Sequence, residues 1–321
     1  MRRCHVVVPL ASRRAFLQRT LPLAVAYSLP YARVLHAQTA QLATVRLSER
    51  MLVVRGPNAN VLCADSNDGV ILVDGGHQSW AAALLGTVER EFAGRPLRAL
   101  INTHWHEEQT GANRLLGERG TEIVAHENTK LWLGTEVWVR WSGQTYPPLP
   151  AAALPTTTFY DPGRMQLGER TLEIGYMRDA HTDGDICVFF PEENVLVAGG
   201  FVSNAGWPII DWWTGGWTVG MLNGFDRLLE VANERTRIVP AVGPVMSLAE
   251  LEAQREMYLT IFERIHALLL KADATDEVLA AKPTAEYDAI WGDPTQFVTL
   301  AFQSTWGHLR DAHDTRLRNI A

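Results

Sequence analysis

The segment Thr103–Gly111 reads THWHEEQTG and sets two imidazoles, His104 and His106, one residue apart. On extended backbone, side chains at i and i+2 project to the same side, so ring nitrogens spaced this way can meet one metal ion. Glu107, Glu108 and the amide of Gln109 follow at once. Neutral imidazoles suit zinc or iron, and a carboxylate beside them can take a proton from water. The chemistry on offer is therefore metal-assisted hydrolysis, with metal retention without turnover and an empty scaffold as its alternatives. A lone histidine at a strand end is more often a hydrogen-bonded structural residue than a ligand, so the surrounding elements and any further donors decide.

Those elements are legible as alternating patterns. From Thr44 to Asp74 the chain reads strand, turn, strand: RMLVVRG, NANVLCAD, an NDG turn at Asn67–Gly69, then VILVDGG. Residues His77–Gly94 have helical spacing with a glycine stop, and LRALINTHWH is a buried strand that ends on the two histidines. A short helix near Gly111–Leu116 and the strand TEIVAH follow, and Leu131–Pro155 is Trp- and Pro-rich and reads as irregular. The second half repeats the theme with RTLEIGYM, DICVFF, NVLVAGG, a long loop, a helix around Val219–Asn233 and the strand RIVPAV. A helix from Ser247 to about Lys271 and a mostly helical tail complete the chain. Strand groups alternating with helices in both halves predict two packed sheets with helices outside, an α+β fold.

The first residues differ in kind. Residues 1–40 carry arginines, an apolar stretch from Phe16 to Leu29 and no acid, which reads as an export signal. SRRAFLQ resembles a twin-arginine signal, with Arg13 and Arg14 as the pair and an ordinary secretory leader as the alternative. Cleavage after Ala37 leaves a mature domain of residues 38–321 that includes the C-terminal helices from about 247, and points to a periplasmic or secreted protein. The apolar stretch, interrupted by Pro22 and Pro30, is too short to span a bilayer stably. Loss of residues 1–37 removes six arginines and no acid, taking the net charge from −7 to −13. Such a surface repels phosphate backbones, so nucleic acid is not an expected partner. Cys63 and Cys187 sit in apolar, strand-like runs and read as two buried thiols rather than a disulfide.

Taken in order, Asp74 in ILVDGG, then NTHWHEEQTGAN, AHTDGD, VLVAGGFVSN and VPAVGPV resemble the landmarks of the metallo-β-lactamase fold family, from about Arg50 to Tyr258. The resemblance implies a four-layer αββα sandwich with a metal site at one sheet edge. It makes His104, His106 and His181 the ligands of a first metal. Of the second metal's ligand positions, the motif's Asp is Glu108, its closing His is Gln109, the later Asp is Gly200 and the final His is Val242. Glycine and valine offer no donor atom, and a glutamine amide is a weak neutral ligand. The resemblance thus implies one Zn²⁺ per chain, with iron as the alternative. Three imidazoles with an open fourth position suffice for a catalytic zinc, which brings water to a pKa near 7. Glu108 is then the candidate general base, with Asp74 and Gln109 behind the ligands. Asp185 either orients a ligand or caps a turn. His77 and His126 fall at strand ends, but the motif makes neither a ligand.

All 11 tryptophans lie beyond the leader, and GWPIIDWWTGGW falls where family members place a substrate-facing loop. Trp207, Asp211 and Trp212 are accordingly candidate substrate contacts, the alternative being that the rings pack the loop against the body. The function expected is an exported single-zinc hydrolase acting on an ester, lactone, thioester or amide of a small molecule. A non-catalytic ligand-binding protein on the same scaffold is the alternative. The sequence leaves substrate and oligomeric state open.

Overall fold

Alternation with a period of two sorts the strand residues between two cores. In β2 (Met51–Arg55), Met51 and Val53 face one core while Leu52 and Val54 face another; in β4 (Gly69–Val73), Ile71 and Val73 oppose Val70 and Leu72 in the same way. A strand with apolar side chains on both faces must lie between two layers. The computed structural model describes residues 42–318 apart from 162, 270, 272 and 273, with side chains through residue 308. The proposed leader and Cys4 lie outside the described residues. The described ones belong to a unit that spans Thr39–Ala321.

The first sheet has seven strands in the order β1 (Ala43–Ser48), β2, β3 (Asn60–Ser66), β4, β5 (Leu97–Ile101), β6 (Glu122–His126) and β9 (Thr157–Phe159). Hairpin connections make its first half antiparallel; from β4 to β9 the pairings are parallel. Crossovers through α1 (Ala81–Glu91), α2 (Glu107–Thr110), α3 (Asn113–Gly117) and α4 (Glu127–Leu133) make the parallel pairing possible. The second sheet runs β10 (Gly163–Leu167), β11 (Arg170–Tyr176), β12 (Ile186–Phe190), β13 (Val195–Val197) and β14 (Arg237–Val239). Val53, Ile71, Ile101 and Val124 of the first sheet meet Leu172, Val188, Val195 and Val239 of the second in one buried core. Each such side chain contributes roughly 1.5–3 kcal/mol when fully buried.

The outer faces are covered by helices. Leu84, Leu85 and Val88 of α1 pack on Leu52, Val61, Leu72 and Leu100. On the other side, α5 (Thr218–Val231), α6 (Leu248–Leu269), α7 (Thr275–Ala280) and α9 (Thr295–Arg318) cover Cys187, Leu196 and Ile238, while the short α8 (Asp288–Trp291) carries Trp291 against the same core. The architecture is a four-layer αββα sandwich with a helical C-terminal segment. Cys63 and Cys187 are buried, unpaired thiols in the two opposite outer cores. No helix among the described residues is long and apolar enough to cross a membrane.

Part of the segment expected to be irregular is ordered. Within Leu131–Pro155, β7 (Val137–Val139) and β8 (Gln144–Tyr146) form a two-stranded antiparallel hairpin. Its inner residues Val137 and Val139 pack with Trp105 and Leu133 in a small separate core.

Candidate metal centre

The two clustered histidines do not lie on a strand. β5 ends at Ile101, and Asn102–His106 form the loop that leads into α2, with His106 at the N-cap position in extended backbone. Three devices hold this loop. Asn102 and Asn113 exchange side-chain amide hydrogen bonds of 2.8 and 3.0 Å, both residues fully buried. The Ile186 amide, at the start of β12, donates to the Thr103 carbonyl at 2.9 Å. Asp74, just past β4, accepts from the Thr103 amide at 2.8 Å and from the Thr103 hydroxyl at 2.9 Å. Asp74 adopts a left-handed backbone, φ 68°, which aspartate tolerates better than most residues and which turns the chain where the parallel strands end.

His181 arrives from the second sheet, in the turn between β11 and β12. Asp185 Oδ2 accepts from the amides of His181 and Thr182, both at 2.7 Å, and its Oδ1 lies 2.7 Å from His181 Nδ1. Asp185 thus shapes the turn and faces the ring. The rings of His104, His106 and His181 lie edge to face, with centroids 4.3–5.1 Å apart. One donor atom from each falls within 4.8 Å of the others, and among the described residues this is the one such cluster of metal-ligating side chains.

Each imidazole has an oxygen behind it, hydrogen-bonded for His104 and His106 and, for His181, at ion-pair distance but outside hydrogen-bond geometry. His104 Nδ1 is 3.0 Å from the Thr103 hydroxyl, whose single proton goes to Asp74, so the ring must donate there and keep Nε2 bare. His106 Nε2 is 3.3 Å from Asp211 Oδ2, which leaves Nδ1 free. His181 Nδ1 faces Asp185, which leaves Nε2 free. Asp211 is itself fixed: it accepts from the Thr214 hydroxyl at 2.6 Å, and that hydroxyl accepts from the Trp105 indole at 3.1 Å. All three histidines and all three aspartates are buried.

The electrostatics follow from that burial. Burial, with His181 and His106 alongside, holds His104 well below the usual imidazole range. Burial also works against a charged His106, but Asp211 and Glu108 outweigh it and raise that ring. Burial pushes the Asp74 carboxyl up to about 7 against the lowering effect of the Thr103 bonds. Carboxylates held out of water are costly unless a cation offsets them, and ligand histidines backed by carboxylates are the usual support of a metal. Around one tetrahedral zinc, with bonds of about 2.0–2.1 Å, the ligand nitrogens stand about 3.3 Å apart, so rings whose donor atoms lie within 4.8 Å of one another must close inward to meet on one ion. The donor set fits a divalent metal held by three imidazoles.

The expected second-metal positions are equally plain. A Cβ on Gly200 would stand 2.1 Å from His181 Cε1 and 2.6 Å from His104 Cε1, so the bare glycine lets these two rings approach. Val242 is half-buried and pairs through its backbone with Ser203 and Asn204. Gln109 is buried, and its Oε1 has no hydrogen-bond partner among the described residues. Glu108 is half-buried on α2, two residues after His106.

The structure separates the three residues expected to touch substrate. Asp211 turns its carboxylate onto His106. Trp207 stacks on Phe297 at 4.7 Å and donates to the Gly292 carbonyl, which ties the loop to the C-terminal helices. Trp212 lines a cavity together with α9. His77 contacts Glu107 at 3.5 Å, and His126 stacks on Tyr176; neither joins the cluster. Thr103 and Trp141, whose ring centroid is 6.0 Å from that of His106, had not been singled out. Thr103 had one signal, its place directly before the first histidine; Trp141 had only its membership of the Trp-rich segment Leu131–Pro155.

The sequence model of the metallo-beta-lactamase superfamily matches residues 52–242, which stops short of α6–α9. Among solved structures, a metallo-beta-lactamase from Pontibacter korlensis is similar with a TM-score of 0.56 at 18% identity, over 68% of this chain and 99% of that one. The DIM-1 metallo-beta-lactamase is similar with a TM-score of 0.54 at 17% identity, over 68% and 97%. The metallo-beta-lactamase IND-7 gives 0.55 at 16% identity, over 68% and 98%. Identities this low speak to the fold alone.

Proposed function

The chain belongs to the metallo-beta-lactamase superfamily, and from that premise we propose that it is an exported, single-zinc hydrolase of a small-molecule ester, lactone, thioester or amide. The observation that carries the proposal is the buried aspartate behind each of the three clustered histidines, directly for His106 and His181 and through Thr103 for His104. A bound zinc supplies a Lewis acid and lowers the pKa of water to about 7. The protein's own part is then positional and protolytic. Asp74, through Thr103, and Asp211 fix the bare nitrogen of His104 and His106, and Asp185 faces Nδ1 of His181. Glu108 takes the proton of the attacking water on a carboxylate oxygen and returns it to the departing oxygen, sulfur or nitrogen. The half-buried Trp141 and buried Trp105 limit water beside His106.

One metal rather than two is supported by Gly200 and Val242, which have no donor, and by the neutral amide of Gln109. Export is supported by Arg13 and Arg14 ahead of an apolar stretch, a route that suits a protein folded around its metal. The surrounding charge, without a basic surplus, argues against nucleic acid as a partner. A non-catalytic binding protein is the competing function, favoured by how deeply the three histidines are buried.

Paired substitutions separate the two. His181→Ala should strip most of the metal. Glu108→Gln should keep the metal and lower any turnover found on esters, lactones or thioesters by about 100-fold or more, the scale of a lost general base. Undiminished turnover with metal retained rules out that role for Glu108. A broad screen with no turnover by zinc-loaded wild type favours the binding protein.

A further inference from the structure

We propose that the aromatic cavity between the Trp212–Thr214 turn and α9 binds a small, flat aromatic anion, its ring among the indoles and its carboxylate on Arg140. The cavity has a volume of about 510 Å³, within the range of small-molecule pockets. Trp141, Trp212, Trp213 and Trp306 contribute to its walls, and Trp213 and Trp306 are 40% and 50% exposed. Trp212 and Trp213 lie against each other with ring centroids 4.2 Å apart and Arg140 covers Trp213, so the stacking platform for another ring is the cavity side of Trp212.

The charge of the site selects the ligand's sign. Arg140 lies with its guanidinium carbon 3.8 Å from the Trp213 ring centroid and 5.3 Å from that of Trp138. It makes no ion pair among the described residues, and no lining residue is acidic. In a chain of net charge −7 this is an unusual place. A guanidinium stacked on indole is held in orientation while its N–H edge stays open for two parallel bonds to a carboxylate. An organic cation, the other common guest of indole walls, would meet Arg140 and be repelled.

Gly307 is an independent sign of a working cavity. It lies inside α9, where glycine is the poorest helix former after proline. A Cβ there would make only ordinary contacts, 3.8 Å from the Trp212 ring, so the fold does not demand glycine. What its bareness does is leave the face of Trp212 uncovered toward the cavity.

The position relates the ligand to the metal centre. Trp141 forms part of the wall and also stands beside His106, and Trp212 directly follows the aspartate that holds His106. A ring bound here is placed to be the non-reacting part of the substrate; that assignment rests on the hydrolase proposal, whereas binding itself does not.

Calorimetric titration of the full chain with naphthoate and with uncharged naphthamide tests the site. Naphthoate should bind one per chain in wild type and equally in His181→Ala, which separates this site from the metal. Arg140→Gln should weaken naphthoate about tenfold, the scale of a lost charge-assisted bond, and leave naphthamide unchanged. Gly307→Leu should abolish binding of both by filling the cavity over Trp212. If Gly307→Leu does not fold, Arg140→Gln decides, because that side chain is exposed and outside the core. No naphthoate binding by wild type, equal affinity in Arg140→Gln, or loss of binding in His181→Ala would each overturn the proposal.

Discussion

Asp211 shows how much of a site resides in the residue behind the ligand. Its carboxylate sets the orientation of His106, and the Trp105–Thr214 relay in turn holds the carboxylate. Asp211→Asn keeps the shape and removes the charge, so zinc affinity should fall by about 10- to 100-fold, the usual cost of losing such a partner. Competition with a chelating dye measures this, and unchanged affinity would show that Asp211 only packs its loop. At this scale the sequence was legible where chemistry and spacing coincide: His104, His106 and His181 stand together, and Gly200 lies against two of their rings. It was not legible where partnership is tertiary. Asp211 is 105 residues from His106, and nothing local distinguishes a carboxylate aimed at a ring from one aimed at a substrate.

Among elements, β6 shows how one side chain can pin a sheet. Glu122 accepts from Arg98 of β5 at 2.6 Å and from Thr157 of β9 at 2.7 Å, so it holds both parallel neighbours of its strand. Burial works against its charge, but Thr157 and Arg98 outweigh burial and hold the carboxyl below its ordinary value of 4.5. An acid with a depressed folded pKa contributes stability that is fully present above its unfolded pKa and is lost as pH falls through the folded value. Melting midpoints of wild type and Glu122→Gln should therefore differ most at neutral pH and converge as pH drops below 4.5; a gap that stays constant to low pH contradicts the ion pair. The principal strands and long helices were readable because period-two and helical patterns are local: the helix expected at Ser247 to about Lys271 spans Leu248–Leu269. The β7–β8 hairpin was not, since its three-residue strands lie among prolines and the exposed Trp138 and are ordered by packing on Trp105.

For the whole molecule, the fold was legible because several spaced segments agreed in order, so that a four-layer sandwich followed from no single one of them. The two cysteines fit that plan as inert core residues: burial raises both thiols, that of Cys187 up to about 12. If the chain is exported as proposed, replacing Arg13 and Arg14 together with Lys should leave the precursor in the cytoplasm. Cell fractionation decides this, and mature protein in the periplasm would refute the twin-arginine route. With the second set of ligands gone, one metal is expected on three carboxylate-backed histidines. Calorimetric titration of the metal-stripped protein with Zn²⁺ tests this most directly. Binding should saturate at one tight site per chain even in excess zinc; two tight sites, or none, would refute it.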